Sequence, residues 1–209
     1  MQQYQTILFD LDGTLTDSAP GILNSVRYAC RKLELPLPEE AVLRRFLGPP
    51  LPASFQEYLH LEAFREYYPA KGIFENEVYP GIPALLAALK GAGRRVVMAT
   101  SKPEVFARRI MEHFSLEGYF EAICGATIDE RRTDKGDVIA YALETAGVTD
   151  LRHTVMVGDR EHDVKGAARN GLPCIGALYG YGSAAELHAA GAVALAGTVA
   201  DLHAMLLHG

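Results

Sequence analysis

The chain has 209 residues, enough for one substantial domain or a core carrying a smaller insertion, with 49% hydrophobic and 22% charged residues. That balance belongs to a globular protein and excludes a disordered one, and a net charge of −6 lacks the basic footprint of a nucleic-acid binder. No stretch approaches the ~20 consecutive apolar residues of a membrane span. The first residues carry neither the basic nor the apolar region of a signal peptide. Cys30, Cys124 and Cys174 are odd in number, widely spaced and without zinc-ligand spacing, which predicts buried thiols in a reducing cytoplasm.

In chain order, the first predicted element is a strand near Thr6–Phe9, and it runs into Asp10-Leu11-Asp12-Gly13-Thr14. Alternate strand residues face opposite sides, so keeping the two carboxylates together requires the strand to end and turn, and Gly13 supplies the turn. Two readings follow. The acids form a site for a hard divalent cation, which takes oxygen ligands, with one of them able to attack phosphorus. Alternatively they make an ordinary Asx turn ahead of a helix.

From Ala19 to Tyr79 only helical periodicity is present, over Gly21–Leu33, Pro38–Phe46 and Leu51–Tyr68. Gly48-Pro49-Pro50 interrupts it, either as a rigid loop facing a ligand or merely as the end of one helix and start of the next. After Pro80-Gly81 strands and helices alternate. Strands are expected near Arg95–Thr100, Ala122–Cys124, Thr154–Val157 and Cys174–Leu178, and helices near Ile82–Ala92, Glu104–Phe114, Lys135–Ala146 and Asp163–Asn170. Pro103 suits a helix N-terminus, and Gly147 and Gly171 suit helix C-caps. Apolar strands alternating with amphipathic helices predict an α/β fold, with a parallel sheet covered on both faces. Ligands of such sheets bind beyond the carboxyl ends of the strands, where Asp10, Thr100 and Asp159 all fall.

Four segments then stand in order: DxDGT at residues 10–14, Thr100 closing a strand ahead of Ser101-Lys102-Pro103, Lys135 opening a helix, and Gly158-Asp159-Arg160-Glu161-His162-Asp163, a GDxxxD. Together they resemble the haloacid dehalogenase-like (HAD) hydrolases, and the resemblance covers most of the chain. It implies a Rossmann-like HAD core over residues 1–16 and 80–209. An all-helical C1 cap over residues 17–79 would be inserted through linkers around Thr16–Pro20 and Val78–Gly81. By the same resemblance Asp10 is the nucleophile and Asp12 the general acid/base. Thr100 and the backbone amides of Leu11 and Ser101 bind the phosphoryl oxygens, and Lys135 offsets their charge. Magnesium is implied at Asp10, the backbone carbonyl of Asp12, and Asp159, with Asp163 either orienting these groups or contacting the ion. The implied activity is hydrolysis of a small-molecule phosphomonoester in the cytoplasm, in the phosphoglycolate phosphatase and 5′-nucleotidase-like branch, with no nucleic-acid or membrane partner. Monomer and homodimer both remain open.

A β-phosphoglucomutase-like mutase shares the nucleophile, but its fourth motif more often begins Glu-Asp where this chain has Gly158-Asp159. Dehalogenases lack the acid at the position of Asp12. Phosphonoacetaldehyde hydrolases need a cap lysine that neither Lys32 nor Lys71 supplies convincingly. A non-catalytic scaffold would have lost a motif residue, and none is missing here. Three further features carry weaker expectations. Lys102 reads as solvent-facing or helix-opening, and less readily as touching substrate, and His162 as exposed and only tuning local charge. Gly180-Tyr181-Gly182-Ser183-Ala184-Ala185 matches a dinucleotide fingerprint but follows the last main strand rather than the first, so it reads as a loop beside the site.

Overall fold

The computed structural model describes residues 4–43, 46, 47, 61–129 and 131–207. Strand β1 (Thr6–Phe9) is buried along its whole length. Such a strand needs apolar side chains on both faces, and Thr-Ile-Leu-Phe provides three of them in succession. It lies in the middle of a six-stranded parallel sheet with β4 (Arg95–Pro103), β5 (Ala122–Ala126), β6 (Thr154–Gly158), β7 (Cys174–Ala177) and β8 (Ala194–Ala196), ordered β5-β4-β1-β6-β7-β8. Thr6 pairs with Arg95 on one side and Thr154 on the other, and Phe9 with Met98 and Val157.

Helices cover both faces. Ile7 and Phe9 point into one layer, with Leu85 and Leu89 of α4 (Ile82–Gly91), Ile110 and Met111 of α5 (Glu104–His113), and Leu202 and Leu206 of α9 (Val199–Leu207). Leu8 points into the other, with Val138, Ile139 and Ala142 of α6 (Lys135–Thr145), Val164 and Ala167 of α7 (Glu161–Arg169), and Leu187 of α8 (Ala184–Ala190). The expected α/β architecture is the one that forms. Chain order runs outward from β1 through β4 to β5, then returns to β6 and leaves toward β8. This reversal beside β1 opens a crevice at the strands' carboxyl ends. Strand β8 and helices α8 and α9 lie beyond the elements read from the sequence.

Between the sheet's first two strands in sequence lie α1 (Ala19–Lys32), α2 (Glu40–Leu43), α3 (Leu61–Tyr67) and a 3₁₀ turn at Gly72–Phe74. The chain leaves the sheet layer through β2 (Thr16–Asp17) and returns through β3 (Glu77–Val78), and these pair antiparallel, Thr16 with Val78 and Asp17 with Glu77. The two connections expected as linkers thus meet in a short hydrogen-bonded ribbon. Apolar residues of the insert, among them Val26, Phe64, Tyr68 and Ile73, are buried in the same cluster as the sheet's face. Gly48-Pro49-Pro50 and the first ten residues of the expected Leu51–Tyr68 helix lie outside the described residues, as do residues 44 and 45 of Pro38–Phe46. The three cysteines are buried and free. Among the described residues no helix is long and apolar enough to cross a membrane.

Candidate active site

The carboxylates at the end of β1 owe their placement to a tight turn. The Asp10 N–H still bonds to the Val157 carbonyl at 2.9 Å, continuing the ladder, and then the Leu11 carbonyl accepts from the N–H groups of Thr14, Leu15 and Thr16. Gly13 carries the reversal at φ +78, a region L side chains avoid. A Cβ there would also stand 2.1 Å from an Asp159 oxygen. Glycine thus lets the first motif touch the fourth.

Lys135 opens α6, whose N-cap Asp134 accepts from Gly136 N at 2.8 Å. Lys135 is only 5% exposed. The Nζ lies 2.8 Å from Asp10 Oδ1 and 2.7 Å from Asp163 Oδ1. Burial by itself would drive the proton off this amine, but the two carboxylates outweigh it and hold the pKa above the ordinary lysine value. Asp163 is fixed at its other oxygen too, which accepts from the Arg160 N–H at 3.0 Å in the first turn of α7.

Asp159 is fully buried. One oxygen accepts from the Tyr181 N–H at 2.7 Å, while its Oδ1 has no partner among the described residues. Asp10, Asp159 and Asp163 each bring an oxygen to within 4.8 Å of the others. Burial, opposed by Lys135 and reinforced by Asp163, pushes Asp10 up to about 6. Burial followed by the charges of Asp163 and Asp10 pushes Asp159 well above the carboxylate range. Two of these three buried carboxylates meet Lys135, while the third, Asp159, keeps an oxygen without a partner among the described residues. This all-oxygen donor set fits a hard divalent cation, which would compensate the excess charge.

Thr100 is buried at the end of the regular part of β4. Its Oγ1 accepts from the Lys102 N–H at 3.2 Å, so the hydroxyl hydrogen remains for another acceptor. Ser101 lines a cavity of about 410 Å³ together with Lys135, Lys165 and Arg169. His162, expected exposed, is half-buried in its wall.

Lys102 is not solvent-facing. It is 8% exposed, its Nζ lies 2.5 Å from Asp12 Oδ2, and it stands over the Tyr68 ring 5.2 Å from the centroid. Strand β4 runs on past Thr100 to Pro103, so Lys102 falls on the same side as Thr100 and is carried into the crevice. The residue spacing contained that signal, but Ser-Lys-Pro read as the opening of a helix. Two more contacts were invisible in the sequence. Arg160 bonds Glu186 at 2.8 Å and the Leu47 carbonyl, reaching from the fourth motif to the insert. Tyr181 meets Asp159 through its backbone.

The family profile described as "Haloacid dehalogenase-like hydrolase" matches residues 7–177, from β1 through β7. The chain belongs to this family. Within it, the chain is 46% identical over 196 residues to a 5′-nucleotidase of Pseudomonas aeruginosa, covering 90% of this chain and 88% of that protein. It is 43% identical over 187 residues to the tyrosine-protein kinase PtkA of Mycobacterium tuberculosis, covering 86% of this chain and 64% of that protein. The crystal structure of a predicted phosphatase from Clostridium acetobutylicum superposes with a TM-score of 0.92 at 46% identity, covering 99% of this chain and all of that one. In this HAD hydrolase the structure brings Asp10, Asp159, Asp163 and Lys135 into one cluster. The Asp12 side chain turns instead to Lys102.

Proposed function

We propose that this hydrolase is a magnesium-dependent phosphatase of small phosphomonoesters, of the phosphoglycolate or nucleoside-monophosphate kind, working through an aspartyl phosphate on Asp10. The observation that carries this reading is the cluster itself: a buried carboxylate 2.8 Å from a lysine amine, beside an Asp159 oxygen without a partner among the described residues. With its pKa near 6, Asp10 is mostly ionised at neutral pH and needs no base to attack. Asp12, whose other oxygen is held by Lys102, protonates the leaving alcohol and later takes a proton from the hydrolytic water. Thr100 and the amides of Leu11 and Ser101 donate to the phosphoryl oxygens, and Lys135 balances their charge.

Asp10, the Asp12 carbonyl and Asp159 would hold the magnesium ion. Asp163 acts from behind them, since both its oxygens are already engaged by Lys135 and the Arg160 amide. When bound, the cation neutralises the repulsion between Asp10 and an anionic phosphate. Residues 17–79 form a cap whose movement on the β2–β3 ribbon shuts the site from water and selects the leaving group. The identity to a 5′-nucleotidase favours a nucleoside monophosphate among the substrates.

The test is phosphate release from phosphoglycolate, nucleoside monophosphates, sugar phosphates and p-nitrophenyl phosphate, with magnesium and with chelator, alongside thermal unfolding. Magnesium-dependent release is expected. The ion should also stabilise the fold, by about 2.7 kcal/mol at one hundred times its dissociation constant, and so raise the unfolding temperature. A phosphoenzyme that persists with a sugar bisphosphate and releases no phosphate would replace this reading with the mutase.

Lys102 gives a second expected result. Lys102→Met leaves the acid Asp12 unheld, so kcat/KM on alkyl phosphates, which ends at release of the alcohol, should fall about 10²-fold, the lower range of a general acid's contribution. With p-nitrophenyl phosphate, whose leaving group departs without a proton, the loss should stay small. Equal losses on both substrates would show that Lys102 does not serve the acid.

A further inference from the structure

The loop that follows β7 meets both the site and the start of the insert. At its inner end the Tyr181 N–H donates to Asp159 Oδ2 at 2.7 Å. At its outer end the Tyr181 hydroxyl accepts from Ser18 N–H at 2.8 Å and Ala19 N–H at 3.0 Å, and donates to Asp17 Oδ1 at 2.9 Å. Ser18 and Ala19 begin α1, whose first amides have no partner inside the helix. Ser18 occupies the N-cap position but makes no side-chain capping bond. A phenol 163 residues away takes the Ser18 N–H and shares the Ala19 N–H with Asp17 Oδ1, which lies 3.0 Å from it.

The loop is also pinned against sliding. A Cβ on Gly180 would lie 2.2 Å from the Gly13 carbonyl oxygen, and one on Gly182 would lie 1.9 Å from the Asp159 carbonyl oxygen. Only a chain without side chains at these two positions fits so closely, which accounts for the Gly-Tyr-Gly spacing that resembled a dinucleotide fingerprint. Tyr179 extends the same loop to the other connection. Its hydroxyl donates to the Thr14 carbonyl at 3.1 Å, and its ring meets Tyr79 edge-on at 5.2 Å, just after β3.

We infer that Tyr181 is a positioning residue that couples the seat of Asp159 to the start of the helical insert, so that cap placement and the arrangement of the carboxylate cluster are set together. This rests on the phosphatase reading only for its kinetic consequence. If packing alone mattered, phenylalanine would serve equally, because the ring would stay. The hydroxyl's hydrogen bonds to residues 17–19 are what the coupling requires.

Tyr181→Phe in the full chain tests it. Amide exchange at Ser18 and Ala19 should accelerate about tenfold or more, since local opening becomes easier. The magnesium concentration for half-maximal effect should rise as well, because a coupling between two sites acts in both directions. KM should rise about fivefold with kcat nearly unchanged, the signature of lost placement rather than lost chemistry. Asp159→Ala removes the acceptor at the loop's inner end and should likewise speed exchange at Ser18 and Ala19. Unchanged exchange in Tyr181→Phe would overturn the contact. Fast exchange in Tyr181→Phe but not in Asp159→Ala, or fast exchange with unaltered KM, would reduce Tyr181 to a helix cap and overturn the coupling. If the parent chain releases phosphate from no ester, the functional reading fails, while the exchange measurements on both variants still decide the link.

Discussion

Asp10→Asn should abolish phosphate release while leaving the fold standing. An amide of nearly the same shape cannot form the acyl phosphate, so only binding and electrostatic positioning remain, and losses on removing a nucleophile run to about 10⁴–10⁶-fold in kcat. The fold should survive because the position is one of charge excess. Asp10, Asp159 and Asp163 crowd one buried volume, and burial already pushes Asp10 up to about 6, so ionised oxygen there opposes folding in the absence of a cation. The lysine is not orphaned either, since Lys135 keeps Asp163 at 2.7 Å. Initial rates with and without magnesium, together with an unfolding curve, check both halves. Residual hydrolysis within about tenfold of the parent enzyme would remove Asp10 from the nucleophile's role, because an enzyme lacking its nucleophile does not retain that much.

The sheet was legible wherever a strand is buried on both faces. Ile7-Leu8-Phe9, Val96-Val97-Met98 and Val155-Met156-Val157 must satisfy two helix layers at once, and that demand leaves unbroken apolar runs. Strand β8 escaped because Ala194 and Leu195 are only half-buried at the sheet's edge and three residues show no period. The β2–β3 pair escaped because a ladder two residues long leaves no pattern at all. In the site, the carboxylates were legible because acids at the ends of apolar strands are costly without a use. Lys102 was misread because its burial follows from how far β4 continues, a property of the sheet's irregular register between Thr100 and Pro103 rather than of local composition. The Gly-rich segment around Tyr181 read as a loop beside the site, which it is, but the partners of Tyr181 itself, Asp159 on one side and residues 17–19 on the other, left no local signal. Contacts between segments that far apart become visible only after the chain has folded.

Lys135→Met should damage both stability and catalysis, which separates this residue from the nucleophile. Its amine is the cation in contact with Asp10 and Asp163 at once. Removing one partner of a buried ion pair leaves the other charge uncompensated, at a cost of about 3–5 kcal/mol. Against the ~5–15 kcal/mol that holds a typical domain together, that is a large share. It corresponds to a fall of roughly 6–20 °C in unfolding temperature for a chain of this size. Methionine keeps the stem that packs against Gly166, where even a Cβ would stand 3.0 Å from the Lys135 Cγ, so the loss reports charge rather than volume. Magnesium should then stabilise the variant more than it stabilises the parent, because a cation at Asp10 and Asp159 restores part of the missing positive charge. Turnover should not return with it: an ion on that side cannot replace a donor between Asp10 and Asp163, and removing such a preorganised charge costs about 10²–10³-fold in kcat. Lys135→Arg sharpens the distinction, since it restores the charge but offers a planar fork where two oxygens meet a single ammonium. It should recover unfolding temperature before it recovers rate. A Lys135→Met variant that melts with the parent would mean that the carboxylates settle their own charge by taking up protons, and the lysine would then be spectator to the fold.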